Sequence, residues 1–356
     1  MLAFIHTYLS KNQADFMELQ KYIRKITENG SFSSEEMTAA MRIIMTGQAT
    51  PAQIGGFLIG LRMRGETVTE ISAAASVMRE LSTRVDVSPE HLVDTCGTGG
   101  DSSGTFNIST ASAFIAAAAG ARVAKHGNRS ISSKSGSADV LEAAGVNLNI
   151  TPAQVAHCID TLGVGFLFAQ KHHSAMGHAS APRRELGVRT IFNLLGPMSN
   201  PANAPNQVLG VFEQHWVRPM AEVLKNLGSN HVMVVHAADG LDEISTAALT
   251  FVAELKDGLI TEYTIQPEDV GVQQSSLDSV RVDTAHASLQ LIQRVFAGEQ
   301  GTARDIVCLN AGAAIYVAGL ADSHAAGVAK AQQVLDSGAA AVRLQQLIDL
   351  TKSFDA

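Results

Sequence analysis

From the start of the chain to about residue 88, apolar positions recur every three or four residues and never alternate with polar ones over a run, which predicts helices alone. Leu19, Ile23 and Ile26 share one face of a helix predicted over 16–29, with Gly30 as its stop. Ser33 with Glu36, Thr50 with Gln53 and Thr67 with Glu70 each carry the capping-box spacing, and Pro51 sits at a first helical position. Gly47 and Gly65 close the helices between them. From about residue 92 the pattern changes. Short apolar runs at 92–94, 122–124, 164–169, 208–212 and 231–235 read as buried strands. Helical segments at 110–119, 137–144, 151–162 and 217–227 alternate with them, the signature of an α/β domain with a largely parallel sheet. The stretch from His172 to Pro205 is polar, rich in turn residues and reads as a long loop of the kind that carries function. After about residue 284 the chain reads as helical again. The expected architecture is α/β: a small all-helical domain over 1–88, then a large α/β domain over 89–356 with a mostly parallel central sheet. Part of 172–205 is expected to pack on the helical domain.

Composition narrows the classes. Of 356 residues, 46% are hydrophobic and 17% charged, enough apolar material for a sizeable core and too much for a disordered chain. A formal net charge of −8 speaks against binding a nucleic-acid backbone, which needs a basic face. The three cysteines, Cys96, Cys158 and Cys308, show neither CxxC nor zinc spacing and suit a reducing, cytoplasmic setting. No apolar run reaches the ~20 residues of a membrane span, and the N-terminus lacks the basic lead of a targeting signal.

Candidate chemistry clusters at the ends of the expected strands. Asp94-Thr95-Cys96-Gly97-Thr98-Gly99-Gly100-Asp101 lies between a strand and a helix, where glycines let backbone N–H groups approach an anion at the positive end of the helix dipole. It is neither a Walker loop nor a dinucleotide fingerprint. Thr105, Asn107, Ser109 and Thr110 follow, more polar groups than capping alone needs. A second loop, Lys125 to Ser137, gathers three cations, five serines and two glycines at the carboxyl end of a strand, where α/β sheets hold ligands. Asp242 and Glu243 could converge on Mg²⁺, a hard cation that shares its oxygen ligands with phosphates. Arg183, beside Arg184, could clamp a carboxylate. His172, His173 and His178 fit no zinc pattern, and Cys96 reads as a small buried hydrophobe rather than a nucleophile.

With these blocks in order, the chain resembles the anthranilate phosphoribosyltransferase family. The resemblance rests on Asp94–Asp101 with Thr105–Thr110, on KHGNRSISSKSGSADVLEAAG at 125–145, on FAQKHHSAMGHASAPRRELGVRTIFNLLGPMSNPA at 168–202, and on DGLDEIS at 239–245. It implies the nucleoside phosphorylase/phosphoribosyltransferase type of fold, a homodimer formed through the small domain, and transfer of a phosphoribosyl group from 5-phosphoribosyl 1-pyrophosphate to anthranilate in L-tryptophan biosynthesis. It also implies the site. Gly97, Gly100, Asp101, Thr105, Asn107, Ile108, Ser109, Thr110, Lys125, His126, Gly127, Asn128, Arg129, Ser130, Ile131, Ser132, Ser133 and Ser137 would hold phosphoribosyl pyrophosphate. Gly97, Asn128 and Arg183 would meet anthranilate, and Ser109, Asp242 and Glu243 would serve Mg²⁺. No residue is expected to act as general acid or base, and residues 1–15 extend beyond the family's usual start. The rivals are a pyrimidine nucleoside phosphorylase, which should carry Lys-His-Ser-Thr-Gly-Gly where this chain has Lys125-His126-Gly127-Asn128-Arg129, and a non-catalytic nucleic-acid-binding relative with a basic face and lost metal ligands.

Overall fold

The computed structural model describes residues 18–101, 103–130 and 135–354, which divide into two compact units. One holds the described residues up to Ser82 with His173–Ser199; the other holds Thr83–His172 and the chain from Asn200 onward.

The first unit opens with α1 (18–27), α2 (Ser34–Met45), α3 (Pro51–Arg64) and α4 (Val68–Glu80). Capping boxes at Ser33, Thr50 and Thr67 start the last three, each side chain accepting from the backbone N–H three residues on. Its aromatic core stacks Phe32 on Phe57 at 5.8 Å, with Tyr22 edge-on to Phe32 at 5.7 Å. Glu70 is wholly buried. One carboxylate oxygen accepts from Arg64 Nη2 at 2.5 Å and from Thr67 N–H at 2.9 Å, and the other from Phe32 N–H at 2.8 Å.

In the second unit β1 (Leu92–Gly97), α5 (Ile108–Ala118), β2 (Arg122–Gly127), α6 (Ser137–Ala143), α7 (Pro152–Leu162), β3 (Val164–Phe168) and α8 (Ala169–His172) follow in turn. The chain then returns to the first unit as α9 (Gly177–Leu186) and α10 (Ile191–Met198), which pack on α2, α3 and α4. The reading of 172–205 as a long loop is therefore corrected. Ile191, Phe192, Leu194, Leu195 and Met198 are a buried helical stripe, obscured in the sequence by prolines and glycines at the helix ends.

The second unit resumes with β4 (Asn206–Gly210), α11 (Val217–Asn226), β5 (His231–Ala237), β6 (Thr250–Lys256), β7 (Leu259–Ile265), α12 (Ala285–Phe296), α13 (Thr302–Val317), α14 (His324–Asp336) and α15 (Ala339–Ser353). Among the described residues seven strands form one sheet in the order β3-β2-β1-β4-β5-β6-β7. It is parallel from β3 to β5 and antiparallel at β6 and β7. Alternate residues feed two apolar layers: Val93, Val123 and Phe166 face α5 and α13, while Leu92, Ala124 and Leu167 face the cluster with Val155 and Ile159 of α7. The reading of strands from apolar runs did not include β6 and β7. The signal was Asp257-Gly258 between two alternating runs: both residues have positive φ (51° and 74°), the backbone of a two-residue hairpin turn, and Lys256 pairs with Leu259.

Candidate active site

Strand order reverses between β1 and β4, and the crevice beyond their carboxyl ends is where an open α/β sheet holds its ligand. Both strands end in glycine there, paired with each other. A Cβ at Gly97 would strike the Asp242 carboxylate, and one at Gly210 would strike the Asp242 carbonyl. The two glycines thus admit the segment after β5 into the crevice. The Asp242 carboxylate accepts from Gly99 N–H at 2.8 Å. Gly99 and Gly100 hold positive φ (70° and 76°), the backbone that turns the loop's N–H groups to one side.

Behind the loop lies a buried polar network. Lys125 of β2 donates to Thr95 O at 2.5 Å and to Ser109 Oγ at 3.3 Å. Burial pulls its ammonium below the usual lysine range, while the charges of Asp94 and Glu243 hold it up. Asp94 is fully buried. It accepts from Asn200 Nδ2 at 2.7 Å and from His126 N–H at 3.1 Å, and burial raises its carboxyl above the ordinary range against those bonds and Lys125. Asn200 also donates to Ala124 O at 2.8 Å and so ties β1 to β2. The sequence assigned Asn200 no role; an Asn-Pro pair looks like any turn until its partners are seen. Cys96 donates weakly to Asp94, and burial holds its thiol well above its usual pKa, which disfavours the thiolate.

One carboxylate, Glu243, meets the start of α5, while its neighbour Asp242 meets the glycine loop. Glu243 Oε1 accepts from Ser109 N–H at 3.1 Å, a task for which helix starts normally use a local cap; here the cap residue Asn107 makes no such bond. Burial first, opposed by Lys125, brings the Glu243 carboxyl to about 7. Burial, then the nearby Asp101 and Glu243, pushes Asp242 far above the carboxylate range. Such a set of oxygen donors fits a hard cation, whose charge relieves the repulsion that these buried acids otherwise feel. Among the described residues no group of three or more acidic, His or Cys side chains is closed around a metal position. Thr110 Oγ1, also in the first turn of α5, is buried and makes no hydrogen bond among the described residues.

The structure gathers Gly97, Asp101, Ser109, Lys125, Asp242 and Glu243 at this crevice. Thr105 and Asn107 lie on the approach to α5, where Ser103 Oγ lies 3.2 Å from Thr105 Oγ1 and the Asn107 amide joins Ser135 and Ser288. The Ile108 side chain is in the core and its N–H bonds Phe106 O, so it presents nothing polar. In the second loop, Gly127 makes room for Ser137 and Phe166, and Ser130 N–H donates to Asp139 at 3.0 Å. Asn128 Oδ1 accepts from Arg129 N–H at 2.8 Å. The Arg129 guanidinium is committed to Glu142 at 2.6 and 2.9 Å and lies over the Phe168 ring. Ile131, Ser132 and Ser133 lie outside the described residues. In the first unit, Arg183 of α9 is half-buried over the Phe192 ring at 5.0 Å and makes no ion pair among the described residues. Of the histidines nearby in sequence, His172 is buried and bonds Thr83 O at 2.8 Å, whereas His178 is exposed with its ring beside Gly47.

Two family profiles match the chain: the glycosyl transferase family helical bundle domain over residues 20–82 and the glycosyl transferase family a/b domain over 89–341. The anthranilate phosphoribosyltransferase of Thioalkalivibrio sulfidiphilus is 64% identical over 95% of this chain and 100% of its own length. That of Methylococcus capsulatus is 58% identical over 96% of this chain and 100% of its own length. The crystal structure of anthranilate phosphoribosyltransferase from Thermus thermophilus superposes with a TM-score of 0.88 at 42% identity, covering 93% of this chain and 99% of that one. The Saccharomyces cerevisiae enzyme, solved in complex with PRPP and Mg, shares the fold (TM-score 0.86, 24% identity, 94% of this chain and 98% of that one). The chain therefore belongs to the anthranilate phosphoribosyltransferase family.

Proposed function

We propose that this chain joins the amine of anthranilate to the anomeric carbon of 5-phosphoribosyl 1-pyrophosphate, releasing pyrophosphate, as a step of L-tryptophan biosynthesis. The observation that carries the reading is the crevice at the β1/β4 reversal, where Lys125, the Gly97–Asp101 loop and the Asp242–Glu243 pair meet beside the start of α5. One new N–C bond forms, the bond from the anomeric carbon to the pyrophosphate oxygen breaks, and one amine proton leaves to solvent. Rising charge on pyrophosphate is met by Lys125 and the loop N–H groups. The sugar gains oxocarbenium character, and alignment of the two substrates supplies much of the rate. Ser109, Asp242 and Glu243 would hold Mg²⁺, which when bound adds electrostatic stabilisation of the leaving group. The Thr110 hydroxyl, unpartnered among the described residues, with Gly100, Asp101, Thr105, Asn107, His126, Gly127, Ser130 and Ser137, would complete the phosphoribosyl pyrophosphate site. Asn128 and Arg183 are assigned to anthranilate; Arg183 offers a planar fork for a carboxylate. No general base is assigned, since an aromatic amine has its lone pair free at neutral pH.

The anthranilate phosphoribosyltransferase names of the relatives support transfer over either rival. No helix among the described residues is long and apolar enough to cross a membrane. A cytoplasmic homodimer completes the proposal, and sedimentation velocity at micromolar protein tests it, a single-chain mass refuting the dimer. The reaction is tested by anthranilate fluorescence. Mixing protein, phosphoribosyl pyrophosphate and Mg²⁺ should quench it, EDTA should stop the loss, and Arg183→Ala and Asp242→Ala should each slow it at least tenfold. An undiminished signal at high concentration of folded protein would refute the reading.

A further inference from the structure

Asn107 stands at the helix-cap position of α5, yet its side chain turns away from that helix. Its partner is Ser288, one turn into α12 and 0% exposed. The Ser288 hydroxyl accepts from Asn107 N–H at 3.0 Å and donates to Asn107 Oδ1 at 2.7 Å. Ser135 Oγ donates to the same Oδ1 at 2.9 Å, while Ser135 O accepts from Asn107 Nδ2 at 3.2 Å. A carbonyl can only accept, so its place beside the amide nitrogen settles which way the carboxamide faces. Oδ1 is saturated by two hydroxyl donors, and Nδ2 keeps one N–H that no group among the described residues accepts. The loop on either side is braced on the same part of the chain: Phe106 N–H donates to Val280 O at 3.0 Å and Val282 N–H to Gly104 O at 2.8 Å.

We propose that Ser288 is a positioning residue for the phosphoribosyl pyrophosphate site: its hydroxyl fixes the Asn107 carboxamide and backbone so that Nδ2–H meets an oxygen of the substrate. Ser288 itself touches no substrate. The proposal rests on the assignment of Asn107 to phosphoribosyl pyrophosphate. Alanine at 288 removes the hydroxyl that α12 offers as both donor and acceptor, leaves Asn107 N–H unsatisfied and lets the amide rotate.

The test is calorimetric titration of phosphoribosyl pyrophosphate with Mg²⁺, and steady-state kinetics, for the full-length wild type, Ser288→Ala, Ser288→Thr, Asn107→Ala and the double variant. Ser288→Ala should weaken phosphoribosyl pyrophosphate binding and raise its KM about tenfold, the equivalent of one lost hydrogen bond, with the KM for anthranilate unchanged. Ser288→Thr, which restores the hydroxyl, should recover most of that loss. In the Asn107→Ala background, Ser288→Ala should cost clearly less than it does alone, because the shared bond is already gone. Unchanged binding in Ser288→Ala, while Asn107→Ala binds weakly, overturns the positioning role and leaves the site standing. Unchanged binding in Asn107→Ala overturns the site assignment itself. A fall in kcat and in affinity for both substrates together, or loss of the fold in Ser288→Ala with no rescue by threonine, assigns Ser288 to the core and overturns the proposal.

Discussion

Gly97 and Gly210 end neighbouring strands and give way to the same residue, yet they face different parts of it. At Gly210 a methyl group would enter the Asp242 main chain, which is itself buried and fixed; at Gly97 it would meet the carboxylate, which can swing aside. Gly210→Ala should therefore lower stability by about 3 kcal/mol or more, as backbone overpacking does. Gly97→Ala should keep stability within about 1 kcal/mol and still lower activity about a hundredfold, because a displaced carboxylate misplaces what it holds. Urea denaturation and initial rates measured on the same preparations separate the two, and equal stability losses would contradict the distinction. Neither effect was legible in the sequence. Gly97 stood out because other glycines surround it, whereas Gly210 follows an unremarkable apolar run and is explained only by a residue over thirty positions away.

Elements are joined by two carboxylates, one buried and one half-buried, whose strength can be measured. In the helical unit, Glu70→Ala would leave Arg64 buried without its partner and two backbone N–H groups without an acceptor, and should cost about 3–5 kcal/mol. In the second unit, Glu254 on β6 accepts from His231 of β5 at 2.8 Å, Tyr316 of α13 at 2.8 Å and Tyr263 of β7 at 2.9 Å. Burial alone would raise this carboxyl, but the three bonds win and lower it to about 2 from 4.5. Because the folded value lies below the unfolded one, the stabilisation is complete above about pH 4.5 and is lost as pH falls towards 2, roughly 3 kcal/mol in all. Urea midpoints measured across that window should fall less steeply for Glu254→Gln than for the wild type; parallel curves would refute the linkage. The same elements show what periodicity can and cannot find. Helices with local caps and strands buried on both faces declare themselves within a few residues, so α2 to α4 and β1 to β5 were readable. The edge strand β7 exposes most of its side chains, and α10 ends in a Gly-Pro pair, so in both the hydrophobic signal is broken where the tertiary environment supplies the order.

At the scale of the whole chain, the candidate site is a meeting of segments far apart in sequence: Gly99 with Asp242, and Ser109 with Glu243, are 143 and 134 residues apart. The sequence could name both partners by residue type, but no local pattern shows that Glu243 will cap a distant helix while Asp242 ties the glycine loop; the strand order does that by bringing the end of β5 across the end of β4. Those acids are packed as though a cation belonged among them, and this makes the protein's stability a reporter for the site. With Mg²⁺ and phosphoribosyl pyrophosphate at a hundred times the Kd, the folded state should gain about 2.7 kcal/mol, seen as a rise in Tm that EDTA reverses. Asp242→Asn keeps an oxygen for the Gly99 N–H and removes one of the repelling charges, so the cation-free variant should unfold no earlier than the wild type. Its Mg²⁺-dependent rise should nevertheless be lost. A variant that gains as much from Mg²⁺ as the wild type would place the cation elsewhere, and one that unfolds much earlier without Mg²⁺ would show that the Asp242 charge serves the fold rather than the ligand.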